Sequence, residues 1–211
     1  MGRTPLKFIV GLTGLYCAGK NEAARVFVEA GFREIDVDAL GHEVLEEKKE
    51  EILHAFGSRI LSANGQIDRR QLGSIVFKNR GELEKLERIL HPSMVERVKR
   101  IIHQEEGPIV INAALLHKMN LDVLCNRIVI VRAPLLERIN RCMDRDGLDV
   151  CSTLRRIFSQ RKLIPQSSMR RADTVVVENR GTRGELRAKL QELIRRWTEE
   201  MGLVWNRIKL S

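Results

Sequence analysis

Two apolar runs near the start of the chain have different periods. Leu6–Leu12 (LKFIVGL) is short and nearly continuous, the pattern of a strand buried on both faces. From Asn21 to Glu29 a helix is expected, with Ala23, Ala24, Val26, Phe27 and Val28 as its apolar surface and Gly31 as its stop. Phe32–Val37 reads as a second strand. Strand, helix and strand at this spacing form a βαβ unit, which favours a parallel sheet with a right-handed crossover. Between about Asp38 and Glu106 helical spacing takes over. Leu40, Val44 and Leu45 form one stripe, and Ile52, Leu53 and Phe56 another. Ser62–Gly65 (SANG) is a turn, and Asp68 is placed to cap a helix carrying Leu72, Ile75 and Val76. Leu83, Leu86, Ile89 and Leu90 continue the pattern, which is interrupted at His91–Pro92 and resumes at Met94, Val95, Val98, Ile101 and Ile102. Strand patterns return at Ile109–Asn112, Ile128–Val131 and Val175–Val177, and Pro134 suits the first turn of a helix. Leu186, Leu190, Leu193, Ile194 and Trp197 make an amphipathic helix that should pack on the sheet. The expectation is an α/β protein whose parallel-sheet core comprises residues 1–37, 107–140 and 172–211. A helical insertion at 38–106 and a basic segment at 141–171 divide it.

Composition narrows the partners. Of the 211 residues, 43% are apolar and 31% charged, which excludes a disordered or collagen-like chain. No run approaches the length of a membrane span, and the apolar stretch after Lys7 is short and contains Gly11 and Gly14, so neither a span nor a signal peptide is expected. Lys and Arg number 37 against 28 Asp and Glu, a net charge of +9. That balance favours an anionic partner, whether nucleic acid, a phosphorylated small molecule or a membrane surface. Aromatics at 4% argue against a platform of stacked bases. Residues 141–171 carry eight basic against three acidic side chains. The cysteines, at 17, 125, 142 and 151, form no C-x-x-C pair and the histidines no H-x3-H pair, so no zinc site is expected. A reduced cytosolic protein with ordinary thiols follows.

The sharpest chemical signal lies between the first strand and the first helix. Gly14-Leu15-Tyr16-Cys17-Ala18-Gly19-Lys20 is G-x4-G-K. Glycines permit the backbone geometry that turns loop N–H groups inward, and the helix then starts on the bound anion. Lys20 adds a charge directed at the β- and γ-phosphates. Asn21 stands where Ser or Thr usually ligates Mg²⁺; its amide oxygen is a weaker metal donor through which water-mediated contact is expected. Cys17 is either a small filler or a thiol activated by the helix N-terminus and Lys20.

Further segments, taken in order, resemble the dephospho-coenzyme A kinases, P-loop kinases related to the nucleoside monophosphate kinases. They are Ile9–Lys20 (IVGLTGLYCAGK), Ile35–Leu40 (IDVDAL), Phe56-Gly57, Ile60-Leu61, Asn64-Gly65, Ile67–Leu72 (IDRRQL), Ile75–Phe77 and Leu90-His91-Pro92. Arg145-Asp146 and Gln160 resemble the family's lid, and Ala172-Asp173 with Asn179-x-Gly181 its nucleotide-base loop. The resemblance implies a P-loop kinase core with a helical dephospho-CoA-binding insertion and an Arg-rich lid. It implies ATP-dependent phosphorylation of the ribose 3′-hydroxyl of dephospho-CoA, giving CoA and ADP, the last step of CoA synthesis. It implies ATP and Mg²⁺ as cofactors, a cytoplasmic location, and neither nucleic acid nor membrane as partner. Lys20, Asp38 and Arg145 are the implied catalytic residues, Asp38 taking the hydroxyl proton. ATP falls to Gly14, Leu15, Tyr16, Cys17, Ala18, Gly19, Lys20, Asn21, Asn179 and Gly181. Asp36, Arg69 and His91 are assigned to dephospho-CoA, and Asn21 to the metal. Helix capping competes as a role for Asp36, Asp38 and His91, and plain solvent exposure for Arg69.

The chain also departs from that pattern. The family's D-x-P-L-L-F-E run is here Asn112-Ala113-Ala114-Leu115-Leu116-His117-Lys118, and Leu15-Tyr16 replaces small residues. With Asn21, the changes at Asn112 and Lys118 alter the metal-proximal groups and reverse one charge. Two other readings therefore stand beside an active kinase: a diverged member that binds ATP or CoA species with weak transfer, and a basic nucleic-acid-binding module.

Overall fold

The computed structural model describes residues 7–147, 149–159 and 173–200, except the side chains at 151, 155, 156, 158 and 159. In chain order its elements are β1 (Ile9–Gly14), α1 (Lys20–Glu29), β2 (Arg33–Asp36), α2 (Val37–Glu47), α3 (Lys49–Phe56), α4 (Arg69–Val76), α5 (Arg80–Gln104), β3 (Ile109–Asn112), β4 (Arg127–Arg132), α6 (Leu135–Asp146), α7 (Val150–Ser159), β5 (Thr174–Glu178) and α8 (Arg183–Glu200). Backbone contacts divide the chain into two compact units, Met1–Asp36 with His103–Ser211, and Val37–Ile102.

The first unit is an α/β layer structure. Its five strands are all parallel, in the order β2-β3-β1-β4-β5. The central strands are dry: Val10, Leu12, Ile109, Val110, Ile111 and Ile128 through Val131 are fully buried. Each such side chain contributes roughly 1.5–3 kcal/mol by leaving water, which is why these runs lack polar alternation. β1 extends to Gly14, beyond the expected end at Leu12, because Thr13 and Gly14 pair with Ile130 and Val131 of β4. Val37, expected in the second strand, opens α2 instead. Pro134 sits immediately before α6, one position ahead of the expected first turn.

The end of α1 shows how sequence sets the path into the sheet. Gly31 adopts a φ of 93°, the left-handed conformation that ends a helix without a Cβ penalty. The Phe32 N–H reaches back to the Phe27 carbonyl and the Gly31 N–H to that of Val28, closing the orphan carbonyls. Phe27 and Phe32 then meet edge to face at 5.1 Å, the apolar contact that accompanies this cap. Phe8 joins them and touches Trp197 of α8, whose whole stripe is buried as expected.

The second unit holds α2 to α4 and most of α5 around Leu45, Ile52, Phe56, Ile60, Ile67, Leu72, Val76 and Leu86. The turn at Ser62–Gly65 folds Leu61 back on Ile67 as an isolated antiparallel bridge. Asp68 caps α4, accepting from the N–H groups of Arg70 at 2.8 Å and Gln71 at 3.1 Å. The expected interruption at His91–Pro92 does not occur: α5 runs unbroken for 25 residues with Pro92 inside it. Proline removes one backbone N–H donor, but Leu86, Met94 and Val98 keep the helix anchored on both sides of it.

Candidate active site

β1 is the switch point of the sheet. The chain leaves it for β2 on one side, returns through β3, and crosses to β4 on the other, and ligands of such sheets gather at the carboxyl ends of the strands there. The loop from Gly14 to Lys20 occupies that end. A Cβ on Gly14 would come within 2.8 Å of the Val131 carbonyl oxygen, so only glycine lets β1 run this close to β4. Gly19, at φ 104°, starts α1. Second-layer groups clasp the loop from behind. The Asn179 side-chain amide donates to the Ala18 carbonyl at 2.9 Å, and Arg138 Nε donates to the Tyr16 carbonyl at 2.8 Å. Asn179 is buried, and Arg141 reaches its carbonyl and that of Gly181. Of Asn179 and Gly181, expected beside the nucleotide, Asn179 braces the loop and the Gly181 carbonyl accepts from Arg141.

A polar chain crosses from the loop to the sheet. Lys20 Nζ donates to Asn112 Oδ1 at 2.6 Å. The Asn112 amide nitrogen donates to Glu34 at 2.7 Å and faces Asn21 Oδ1 at 3.5 Å. Asn112 lies in register with both Leu12 and Asp36 and is 1% exposed. Its amide orients the lysine but brings no compensating charge of its own. The Asn21 and Glu34 oxygens converge on one nitrogen, and such a pair of oxygen donors suits a hard cation completed by phosphate and water.

On the other flank, α6 leans on the loop. The Tyr16 hydroxyl donates to Asp146 at 2.5 Å, and Arg145 forks onto both oxygens of the same carboxylate at 2.7 and 3.0 Å. The Arg145 guanidinium lies 5.2 Å from the Tyr16 ring centre. The hydrogen bond to Asp146 raises the Arg145 pKa above its ordinary value, whereas burial lowers that of Arg138. The expectation of ordinary thiols is overturned here: Cys17 and Cys142 form a disulfide with a Cα separation of 5.8 Å. The partners lie 125 residues apart, so no local spacing reveals them; the fold brings α6 onto the loop. Their sulfurs and Asp146 form a possible three-ligand metal cluster by distance, but the disulfide takes up both sulfurs. The Cys125 thiol donates to the Leu121 carbonyl at 3.3 Å.

The remaining expected residues lie on β2, α2, α4 and α5. Asp36 ends β2, and Asp38 is exposed in the first turn of α2. Arg69 opens α4 near Glu46, at 3.9 Å, and His91 lies within α5. A cleft of about 730 Å³ in the second unit is lined by Lys48, His54, Lys85, Arg88 and Pro92, among others, and by neither Arg69 nor His91. Arg161, Lys162, Arg170 and Arg171 of the basic segment, with Gln160 and Ala172, lie outside the described residues, as do the side chains of Arg155 and Arg156. Sequence reasoning missed Glu34, Arg138 and the pairing of Cys142. Glu34 was within reach, since it sits two residues from Asp36 and so on the same face of a strand.

A family model described as CoaE: Dephospho-CoA kinase matches residues 8–184. A curated relative from Borreliella burgdorferi, named dephospho-CoA kinase, is 45% identical over 135 residues, which cover 63% of this chain and 65% of the relative's length. One from Fusobacterium nucleatum, of the same name, is 33% identical over 186 residues, covering 87% of this chain and 95% of that relative. Among solved structures, a dephospho-CoA kinase from Campylobacter jejuni shares the fold, with a TM-score of 0.66 and 23% identity, over 92% of this chain and 99% of that one. No helix among the described residues is long and apolar enough to cross a membrane.

Proposed function

The chain belongs to the dephospho-CoA kinase family, and from that premise we propose that it transfers the γ-phosphoryl group of ATP to the ribose 3′-hydroxyl of dephospho-CoA. CoA and ADP are the products, in the last step of CoA synthesis. The observation that carries this reading is the phosphate loop at the carboxyl end of β1, with Lys20 held at its mouth by Asn112.

The loop N–H groups and the N-terminus of α1 hold the β-phosphate, and Lys20 balances charge between β- and γ-phosphates. Phosphoryl transfer asks mostly for positioning and charge stabilisation, which this geometry supplies. Asp38 accepts the proton of the attacking hydroxyl. Arg145 exchanges Asp146 for the transferring group, adding positive charge where negative charge gathers. Asp36, Arg69 and His91 contact dephospho-CoA from the strand end and the helical unit 38–106, and residues 141–171 serve as the lid. Asn21 and Glu34 would hold Mg²⁺, which when bound would supply Lewis-acid stabilisation of the phosphoryl oxygens. Two anionic substrates account for the basic balance without nucleic acid or membrane as a partner.

Purified protein mixed with ATP, Mg²⁺ and dephospho-CoA tests the reading. ADP and CoA should appear in equal amounts, and neither should appear without dephospho-CoA. Bound ATP with no CoA formed, even at high protein concentration, would replace transfer by binding alone. That second reading draws on Asn21 and Asn112, neutral amides at two positions beside Lys20 where metal-proximal groups are expected.

A further inference from the structure

Cys17 lies inside the phosphate loop at φ +59°, in the left-handed region. A residue with a Cβ disfavours that region by roughly five- to thirty-fold, whereas glycine adopts it freely. The same conformation is what turns successive loop N–H groups toward one anion. Cys17 is the third residue of a turn closed by the Ala18 N–H on the Leu15 carbonyl at 2.9 Å, and its sulfur ties that turn to Cys142 of α6. Cys142 is fully buried, and α6 is itself fastened to the loop by Arg138 on the Tyr16 carbonyl and by Asp146 on the Tyr16 hydroxyl. The anchor is firm and the anchored residue is the strained one.

We propose that Cys142 is a positioning residue for ATP: bonded to Cys17, it holds the loop in its phosphate-binding shape, so that reduction of the bond weakens nucleotide binding. The proposal rests on ATP being the ligand of this loop. Its chemistry is thiol–disulfide exchange with a low-molecular-weight disulfide. One cysteine, as thiolate, attacks that disulfide and releases one small thiol. The second cysteine then displaces the other, so two cysteine protons are lost and two electrons pass to the small disulfide, which becomes two thiols. A small thiol runs the sequence backwards, and in a reducing compartment the bond would be transient. The loop's affinity for ATP thereby follows the redox state of its surroundings.

ATP dissociation constants measured by calorimetry on the full chain test this, with free thiols counted by alkylation and mass. The oxidised parent should bind most tightly. The dithiothreitol-reduced parent, and Cys142→Ser under either condition, should bind about five- to thirty-fold more weakly. The double variant Cys17→Gly, Cys142→Ser should recover tight binding and ignore reductant, because glycine needs no tether; a bond that merely stabilised the fold would not be rescued this way. Equal affinity of the oxidised and reduced parent, tighter binding after reduction, or a glycine variant as weak as Cys142→Ser would each overturn the positioning role while leaving the kinase reading intact. If ATP binds no form of the protein, the reading of the loop falls, and this inference with it.

Discussion

Asn112 and Asn21 are the residues at which this chain's chemistry is most its own. A carboxylate at position 112 would face Lys20 with a full negative charge, whereas the amide offers a dipole and lets Glu34 and Asn21 gather around the same nitrogen. Lys20→Ala should lower turnover by about 10²–10³, the usual loss when one charge-stabilising donor is removed. Unchanged turnover in a coupled ADP-release assay would take the loop out of the reaction. Asn21→Ser replaces a neutral amide by the hydroxyl that metal usually meets here, so activity at limiting Mg²⁺ should stay level or rise. A steep loss across a Mg²⁺ titration would mean that Asn21 and Asn112 work as a matched pair. At this scale the sequence is legible wherever chemistry is local. G-x4-G-K names Lys20 and its cradle because seven adjacent residues carry the whole signal. The Cys17–Cys142 bond and the Arg138 clasp are illegible because each joins residues more than 100 positions apart.

Among the elements, α4 offers the cleanest link between sequence and stability. Asp68 precedes it in an extended conformation and satisfies two N–H groups that the first turn leaves without intrahelical partners. The Gln71 N–H holds the Asp68 carboxyl below the usual carboxylate range; desolvation opposes it, and the Arg70 N–H and the Gln71 side chain add to the lowering. A carboxyl depressed in the folded state adds stability above its unfolded pKa near 4, and this is lost as pH falls through the lower folded value. Asp68→Ala should therefore lower the thermal midpoint by about 2–4 °C at neutral pH, with the gap to the parent narrowing below about pH 4. Asp68→Asn should retain much of the cap. A gap that stays constant down to pH 2 would show that the ionised carboxylate is not what holds the turn. This cap was readable because Asp, then two turns of apolar spacing, is a local pattern. The continuity of α5 was not: Pro92 reads as a break, and only tertiary burial of Leu86, Met94 and Val98 carries the helix through it. Strand ends moved for the same reason, since register with β4, rather than the strand's own residues, decides where β1 stops.

At the scale of the whole molecule, the two compact units carry different parts of the proposed reaction. Every residue assigned to ATP, from Gly14 to Asn21 with Asn179 and Gly181, belongs to the unit built on the sheet, whereas Asp38, Arg69 and His91 belong to Val37–Ile102. Binding and chemistry should therefore separate under mutation. A ligand at 100 times its dissociation constant stabilises the form it binds by about 2.7 kcal/mol, which for a chain of this length is a rise of about 5–10 °C in thermal midpoint. ATP should raise the parent by that amount, and Lys20→Ala should lose most of the rise. Asp38→Asn should keep the full rise while its kcat falls, because a proton acceptor acts on the hydroxyl and not on the nucleotide. If Asp38→Asn instead loses the nucleotide-dependent rise along with turnover, Asp38 is part of ATP binding and the proton must go elsewhere. If it merely lowers the midpoint equally with and without ATP and leaves kcat per folded molecule untouched, the residue serves the first turn of α2, where an acidic side chain favours the helix N-terminus.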